Sequence, residues 1–333
     1  MPILLTEADV RACLTMADLI PLMRETLGRF SNGECVQPVR QSLRIRPVGG
    51  FYGVMPAHVP GAGGGAGGRG GAFGLKSVSF FPSNEGTDLP THLAQILLLD
   101  PATGALEAVL DGRLITEMRT AAASAVSVDL LARPEASRLA LLGSGVQALS
   151  HLEAVGLVRE LSHVRVWSRT PNHALRFLRH HGHLVSCPIS TVPNVQDAVE
   201  HADIIVTVTS ASEPILEGAW IAPGTHLCVV GSSSPKKREV DAETVARARV
   251  WVDSRDAARV EAGDLLLAIG EGRVAEDHIV GELGDVVLGR SGRRSPEEIT
   301  LFKSLGIGVE DIATARLVVD RATRMAIGRE IPL

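Results

Sequence analysis

The chain has 333 residues, 45% of them hydrophobic and 21% charged, with a formal charge of −5. This excludes intrinsic disorder, which needs low hydrophobicity and high charge, and it leaves no basic footprint for a nucleic-acid partner. No apolar run reaches the ~18–20 residues of a membrane span, and with only 3% aromatic residues the core is expected to be aliphatic.

Thr6 stands before Glu7 and Asp9, an N-cap with an acidic first turn, and apolar residues recur at Leu14, Met16, Leu19, Ile20, Met23 and Leu27. That spacing predicts a helix over 6–30. Short β-like segments follow at 42–45, 51–55, 73–80 and 95–100, separated by turn signals such as Gly49-Gly50. The stretch GAGGGAGGRGG (61–71) holds eight of the 34 glycines. A strand rather than a helix comes after it, so it reads as a hairpin loop and not as a phosphate cradle. LEAVL (106–110) with Asp111-Gly112 after it predicts a strand closed by a tight turn.

From 114 the pattern changes. Residues 114–132 are Ala-rich and helix-favouring, and Pro134 closes them. Strands at 138–143 and 164–167 then alternate with helices at 146–160 and 171–182, and further apolar runs lie at 203–209, 226–231 and 249–253. Such alternation predicts a parallel sheet with helices on both faces. A last helix over 306–329 is expected to return to the N-terminal half. At ~100–200 residues per domain the length suggests two domains.

The most informative local motif is Gly143-Ser144-Gly145-Val146-Gln147-Ala148, a G-x-G-x-x-A that follows a strand and opens a helix. Gly143 permits the tight turn, Gly145 close approach of the pyrophosphate, and Ala148 close helix packing. The helix N-terminus, with Val146 and Gln147, supplies amide donors. A structural strand–helix turn is the plain alternative. The next strand ends in Ser168-Arg169-Thr170 where an acid would hold the ribose hydroxyl of NAD. A guanidinium with two hydroxyls suits a 2′-phosphate, so NADPH is expected, with NADH possible; a solvated charge is the alternative for Arg169. Thr207 and Thr209 end a later strand where such folds meet the cofactor.

GVMPA (53–57), GLKSVSFFPSN (74–84), RTAAASA (119–125), GSGVQA (143–148), VRVWSRT (164–170) and FKSLGIGVED (302–311) occur in this order. Together they resemble the ornithine cyclodeaminase/μ-crystallin family nearly end to end. The resemblance implies a Rossmann doubly wound sheet over 129–305. It also implies a discontinuous mixed α/β substrate-binding and dimerisation domain from 1–128 and 306–333, hence a homodimer. The family includes lyases acting on ornithine, ketimine reductases, amino-acid dehydrogenases and a binding protein of the lens. Three departures point away from the lyases. Ser233 stands where they carry a catalytic Asp, Gly53 where they carry a Glu, and Ser168-Arg169-Thr170 replaces the acidic NAD anchor. LPTHLA (89–94), with His92, also resembles the ketimine-reductase branch.

The resemblance implies that Arg40, Lys76 and Arg119 bind substrate, with Arg119 also near the cofactor. Lys76 lies on an apolar strand, where burial would lower its pKa and suit it to donate a proton. Asp311 would orient Lys76 or touch the substrate nitrogen. Thr91 and His92 are candidates for the nicotinamide end, Ser233 and Glu261 for the substrate side, and Asn84 for either. The plain alternatives are surface ion pairs for the cations, a helix-terminal acid for Asp311 and a packed core histidine for His92. The expected reaction is NADPH-dependent reduction of a cyclic imino acid, Δ1-pyrroline-2-carboxylate or Δ1-piperideine-2-carboxylate, to L-proline or L-pipecolate. Ornithine cyclisation, amino-acid or N-alkyl-amino-acid dehydrogenation, and NADPH binding without turnover remain open. Acids near the N-terminus and no basic segment argue against a secretory signal. The scattered Cys13, Cys35, Cys187 and Cys228 suggest neither disulfides nor a metal site, and a cytoplasmic protein is expected.

Overall fold

The structure, a computed structural model, describes residues 1–61 and 71–332. It divides into two compact units, residues 1–119 with 306–333 and residues 120–305. The expected glycine-rich hairpin tip at 62–70 lies outside the described residues.

The first unit begins with β1 (Ile3–Leu5), α1 (Glu7–Cys13) and α2 (Met16–Ser31). The single helix expected over 6–30 is thus two helices. Leu14 is extended and Thr15 starts a new helix by accepting from the Asp18 amide, a second N-cap inside the apolar pattern. Next come β2 (Gln41–Ile45), β3 (Gly50–Val59), β4 (Ala72–Phe80), β5 (His92–Leu99) and β6 (Leu106–Asp111). No hairpin turn follows β6. Asp111 accepts instead from the amides of Arg113 and Leu114 and so opens α3 (Arg113–Leu131). At the far end of the chain, α11 (Gly308–Met325) and β15 (Arg329–Glu330) return to this unit. The sheet order is β15-β1-β6-β5-β4-β3-β2. Helix α11 packs on β3, β4, β5 and α2. It can lie close because it begins with a glycine: a Cβ on Gly308 would sit 3.2 Å from the Met55 carbonyl oxygen.

The second unit is a parallel sheet of eight strands. They are β7 (Arg138–Leu142), β8 (His163–Trp167), β9 (Ile189–Thr191), β10 (Ile204–Thr207), β11 (His226–Val229), β12 (Ala248–Val252), β13 (Ile279–Glu282) and β14 (Ile299–Lys303). Their order is β13-β12-β14-β11-β10-β7-β8-β9. The connecting helices are α4 (Val146–Val158), α5 (Pro171–His181), α6 (Val195–Val199), α7 (Ala242–Arg247), α8 (Arg255–Glu261), α9 (Gly263–Gly270) and α10 (Leu283–Val287). Alternate residues of β7 enter two separate cores. Leu139 and Leu141 pack under α4 and α5, whereas Ala140 and Leu142 pack with α6, α7, α8 and α9. Helices on both faces bury the central strands β7, β10 and β11, which is why these read as apolar runs, whereas the edge strand β9 is only half-buried. This is the doubly wound fold that the alternation predicted.

The units change over at 119/120, inside α3, rather than at the expected 128/129. The reason lies in the side chains. Arg119 bonds Asp311 of its own unit, whereas Ser124, little more than a turn later, bonds His151 of the second.

Candidate active site

Lys76 sits in the middle of β4, opposite Met55 of β3 and Ile96 of β5, and is 2% exposed. A lysine is almost never so buried unless paired. Its partner comes from the first turn of α11, where Asp311 Oδ2 lies 2.6 Å from Lys76 Nζ. The other oxygen, Oδ1, accepts from Arg119 Nε at 2.9 Å, and Arg119 Nη1 donates to Glu310 Oε2 at 2.8 Å. Thr116 of α3 lies one turn before Arg119, with its hydroxyl 3.4 Å from Nζ. Arg40, in the segment before β2, donates from Nη2 to the Gly306 carbonyl at 3.2 Å.

Two glycines make room for the two arginines. Gly306 has φ +77°, and a Cβ there would fall 2.5 Å from Arg119 Nη2. A Cβ on Gly53 would come within 3.2 Å of Arg40 Cδ. Among these residues three cations (Lys76, Arg119, Arg40) face two carboxylates (Glu310, Asp311), leaving one positive charge. Burial lowers the Lys76 pKa to about 8, with Arg119 and Arg40 pushing the same way and Asp311 opposing. Burial pushes the Asp311 carboxyl upward, but Arg119 and Lys76 outweigh it and hold it below the usual carboxylate range. The cluster can therefore hold a proton that it is able to release near neutral pH, beside a cation excess suited to one carboxylate.

The other candidates are placed differently. His92 is exposed at the start of β5, its ring tilted against Phe80 at a centroid distance of 4.5 Å, so it is not a core histidine. Thr91, half-buried, precedes it. The Asn84 side chain ties its own loop by donating to the Pro90 carbonyl. Ser233, exposed after β11, and Glu261, buried at the end of α8, belong to the second unit and not to the Lys76 cluster.

In the second unit the turn after β7 fits a dinucleotide. Gly143 has φ +131°, and a Cβ there would lie 2.7 Å from the Val208 carbonyl oxygen. At Gly145, the N-cap of α4, an added Cβ would meet nothing within 4 Å, and no side chain caps the helix. Val146 is exposed, and the Gln147 side-chain oxygen is buried without a partner among the described residues. Ala148 is fully buried against the sheet. The Ser144 hydroxyl donates to Ser168 at 3.0 Å, linking the turn to the end of β8, where Arg169 and Thr170 are exposed.

Thr207 and Thr209 require a correction. The Thr207 side chain is fully buried, and both hydroxyls donate to Glu239 at 2.7 Å, so they are directed inward rather than to a ligand. Glu239 also accepts from the amides of Thr209 and Gly231 at 2.6 and 2.7 Å. Its own amide donates to Asp264, which lies 2.9 Å from the buried Lys303. Lys303 Nζ in turn donates to the Ser232 carbonyl.

Sequence reasoning missed Glu310, Thr116, Glu239, Asp264 and Lys303. Thr116 had a signal, its i, i+3 spacing from Arg119 on one helix. Glu239 had none, since it closes the charged run KKRE. Among the described residues no group of three or more His, Cys, Asp or Glu is placed to hold a metal, and no helix is long and apolar enough to cross a membrane.

The chain thus combines a doubly wound α/β unit that carries a dinucleotide-type turn with a discontinuous unit that carries a buried Lys–Asp–Arg–Glu cluster, the make-up of an α/β oxidoreductase. The chain belongs to the ornithine cyclodeaminase/mu-crystallin family, which it matches over residues 1–325. It is 40% identical to the ketimine reductase mu-crystallin of Mus musculus over 323 residues, 96% of this chain and 97% of that one. Among solved structures it is similar to the Δ1-pyrroline-2-carboxylate reductase of Thermococcus litoralis in complex with NADH and L-proline. The TM-score there is 0.94 at 35% identity, covering 99% of this chain and 100% of that chain. An archaeal alanine dehydrogenase dimer with bound NAD gives 0.92 at 29% identity, covering 99% of each.

Proposed function

We propose that this chain reduces a cyclic α-imino acid, Δ1-pyrroline-2-carboxylate or Δ1-piperideine-2-carboxylate, to L-proline or L-pipecolate with NADPH. The observation that carries the reading is the buried Lys76–Asp311 pair, a proton donor with a pKa of about 8 close to the guanidinium of Arg119. The reduced nicotinamide supplies a hydride to the imine carbon. Lys76 gives its proton to the imine nitrogen, so the C=N double bond becomes a C–N single bond with a new C–H and a new N–H. Arg40 grips the carboxylate. Arg119, bonded to both Glu310 and Asp311, keeps Asp311 aimed at Lys76 and adds positive potential. The likeness to the Thermococcus litoralis reductase supports the substrate class. Exposed Arg169 and Thr170 favour the 2′-phosphate of NADPH, with NADH as the lesser donor. We read the first unit as the substrate-binding and dimerisation domain and the second as the cofactor domain, the boundary falling at 119/120 rather than 128/129. The edge strand β2, with exposed Leu43, supports a homodimer. Four free cysteines are in keeping with a cytoplasmic protein.

The test is oxidation of NADPH and of NADH with both imino acids, beside ornithine and beside pyruvate with ammonia. Rapid imine reduction with a preference for NADPH is expected. Faster formation of proline and ammonia from ornithine would replace this reading with the lyase. Turnover dependent on ammonia would favour the second reading, an amino-acid dehydrogenase, which rests on the likeness to the archaeal alanine dehydrogenase. Binding of NADPH with no turnover of any of these substrates would leave a binding protein.

A further inference from the structure

At the carboxyl edge of a doubly wound sheet the turns that follow the strands form the cofactor crevice. Two of these turns, after β10 and β11, hang on one side chain. Glu239 is fully buried, and its two oxygens accept four hydrogen bonds. Oε1 takes the amide and hydroxyl of Thr209, and Oε2 takes the Thr207 hydroxyl and the Gly231 amide. The approach is so close that a Cβ on Gly231 would fall 2.2 Å from the Thr209 carbonyl oxygen and 2.5 Å from Glu239 Oε1. A carboxylate with four donors and no room around it is a fixed point. The backbone of Glu239 is anchored in turn through Asp264 to Lys303 at the end of β14, and Lys303 holds the Ser232 carbonyl. The carboxyl ends of three adjacent strands are thereby joined from beneath.

We propose that Glu239 is a positioning residue of the cofactor site, holding the turns after β10 and β11 in the shape that receives the dinucleotide. This rests on the reading of the second unit as the nicotinamide-binding one. Glu239 touches no substrate; it acts through the backbone of Thr209 and Gly231.

The test compares wild type with Glu239→Gln by cofactor fluorescence titration, amide exchange and steady-state kinetics. One glutamine oxygen still serves Thr209, but the NH2 group cannot accept from the Gly231 amide. The Kd values for NADPH and NADH are expected to rise together, about tenfold for one part-buried donor left unpaired. The Gly231 amide is expected to exchange faster while the strand amides of β10 and β11 keep their protection. At saturating cofactor kcat stays within about twofold, a split between KM and kcat. Faster Gly231 exchange with unchanged Kd overturns the proposal, and so does a loss of strand protection equal to that of the turns. If Glu239→Gln fails to fold, Thr209→Val removes one donor and is expected to raise Kd severalfold; an unchanged Kd there overturns the proposal too. Wild-type protein that binds neither dinucleotide refutes the cofactor reading itself, a result separate from unchanged binding in the variants.

Discussion

Replacing Asp311 by asparagine keeps the shape of the buried cluster and removes one charge. Asp311 lies 2.6 Å from Lys76 Nζ and 2.9 Å from Arg119 Nε. At an effective dielectric of ~20, a pair 2.6 Å apart attracts with about 6 kcal/mol before desolvation is counted, and breaking a buried pair costs about 3–5 kcal/mol. Lys76 can escape most of this by losing its proton. If about 2 kcal/mol of the pairing is felt at Nζ, then at about 1.36 kcal/mol per unit the Lys76 pKa falls by roughly 1.5 units. From its native value of about 8 it would reach roughly 6.5. A proton donor loses activity as the pH rises through its pKa. The falling limb of kcat/KM for imine reduction is therefore expected near pH 8 in wild type and more than one unit lower in Asp311→Asn. The same substrate serves both proteins, so its own titration cancels in the comparison. A variant whose limb stays within about half a unit of wild type would show that Asp311 does not set the charge on Lys76.

Three further outcomes follow from the same geometry. In Gly306→Ala the new Cβ would lie 2.5 Å from Arg119 Nη2 at a backbone φ of +77°. Imino-acid KM is expected to rise at least about tenfold, with NADPH Kd, measured by fluorescence, unchanged; equal loss of both refutes a local role. Arg169→Ala is expected to weaken NADPH about tenfold or more and NADH hardly at all, read as the ratio of the two Kd values. His151 and His226 are buried neutral, burial lowering their pKa values to about 4 and about 3. The unfolded chain takes up protons first, near pH 6.5, so stability present above that pH is lost as the pH falls. The loss is about 3 kcal/mol for each histidine by pH 4. Urea unfolding between pH 7 and 4 measures it, and a flat profile would mean that neither histidine is buried neutral.

The second unit was legible because its central strands β7, β10 and β11 are buried on both faces and therefore spell themselves as apolar runs, whereas β9, β13 and β14 were not read as strands. Leu139, Leu141 and Val206 needed no partner to be recognised. The glycine turn was legible because Gly143 and Gly145 answer to backbone geometry, which is local. What escaped was set by distant contacts. Ile3 pairs with Ala108 and Glu330, and nothing in three residues announces a strand. Lys303 ends a strand as an apparently exposed charge, yet it is buried against Asp264. That Asp311 orients Lys76 was one of two readings the family resemblance offered, and no periodicity could choose it, since none links a strand to a helix so far along the chain. Thr207 and Thr209 were misread for the complementary reason: they close a strand as expected, but their hydroxyls are claimed by Glu239.

The return of α11 to the first unit also orders the protein's synthesis. Arg119 and Asp311 stand 192 positions apart. At ~5–20 residues per second a ribosome takes roughly 10–40 s to make that stretch. Throughout that interval the nascent chain carries Lys76 and Arg119 without their counter-charges, so the β4 segment cannot bury its lysine against a carboxylate. The entire second unit emerges first and can fold meanwhile. The Lys76 cluster is thus completed late in synthesis, and a chain released before Gly308 holds the doubly wound unit with no acid to pair with its buried lysine.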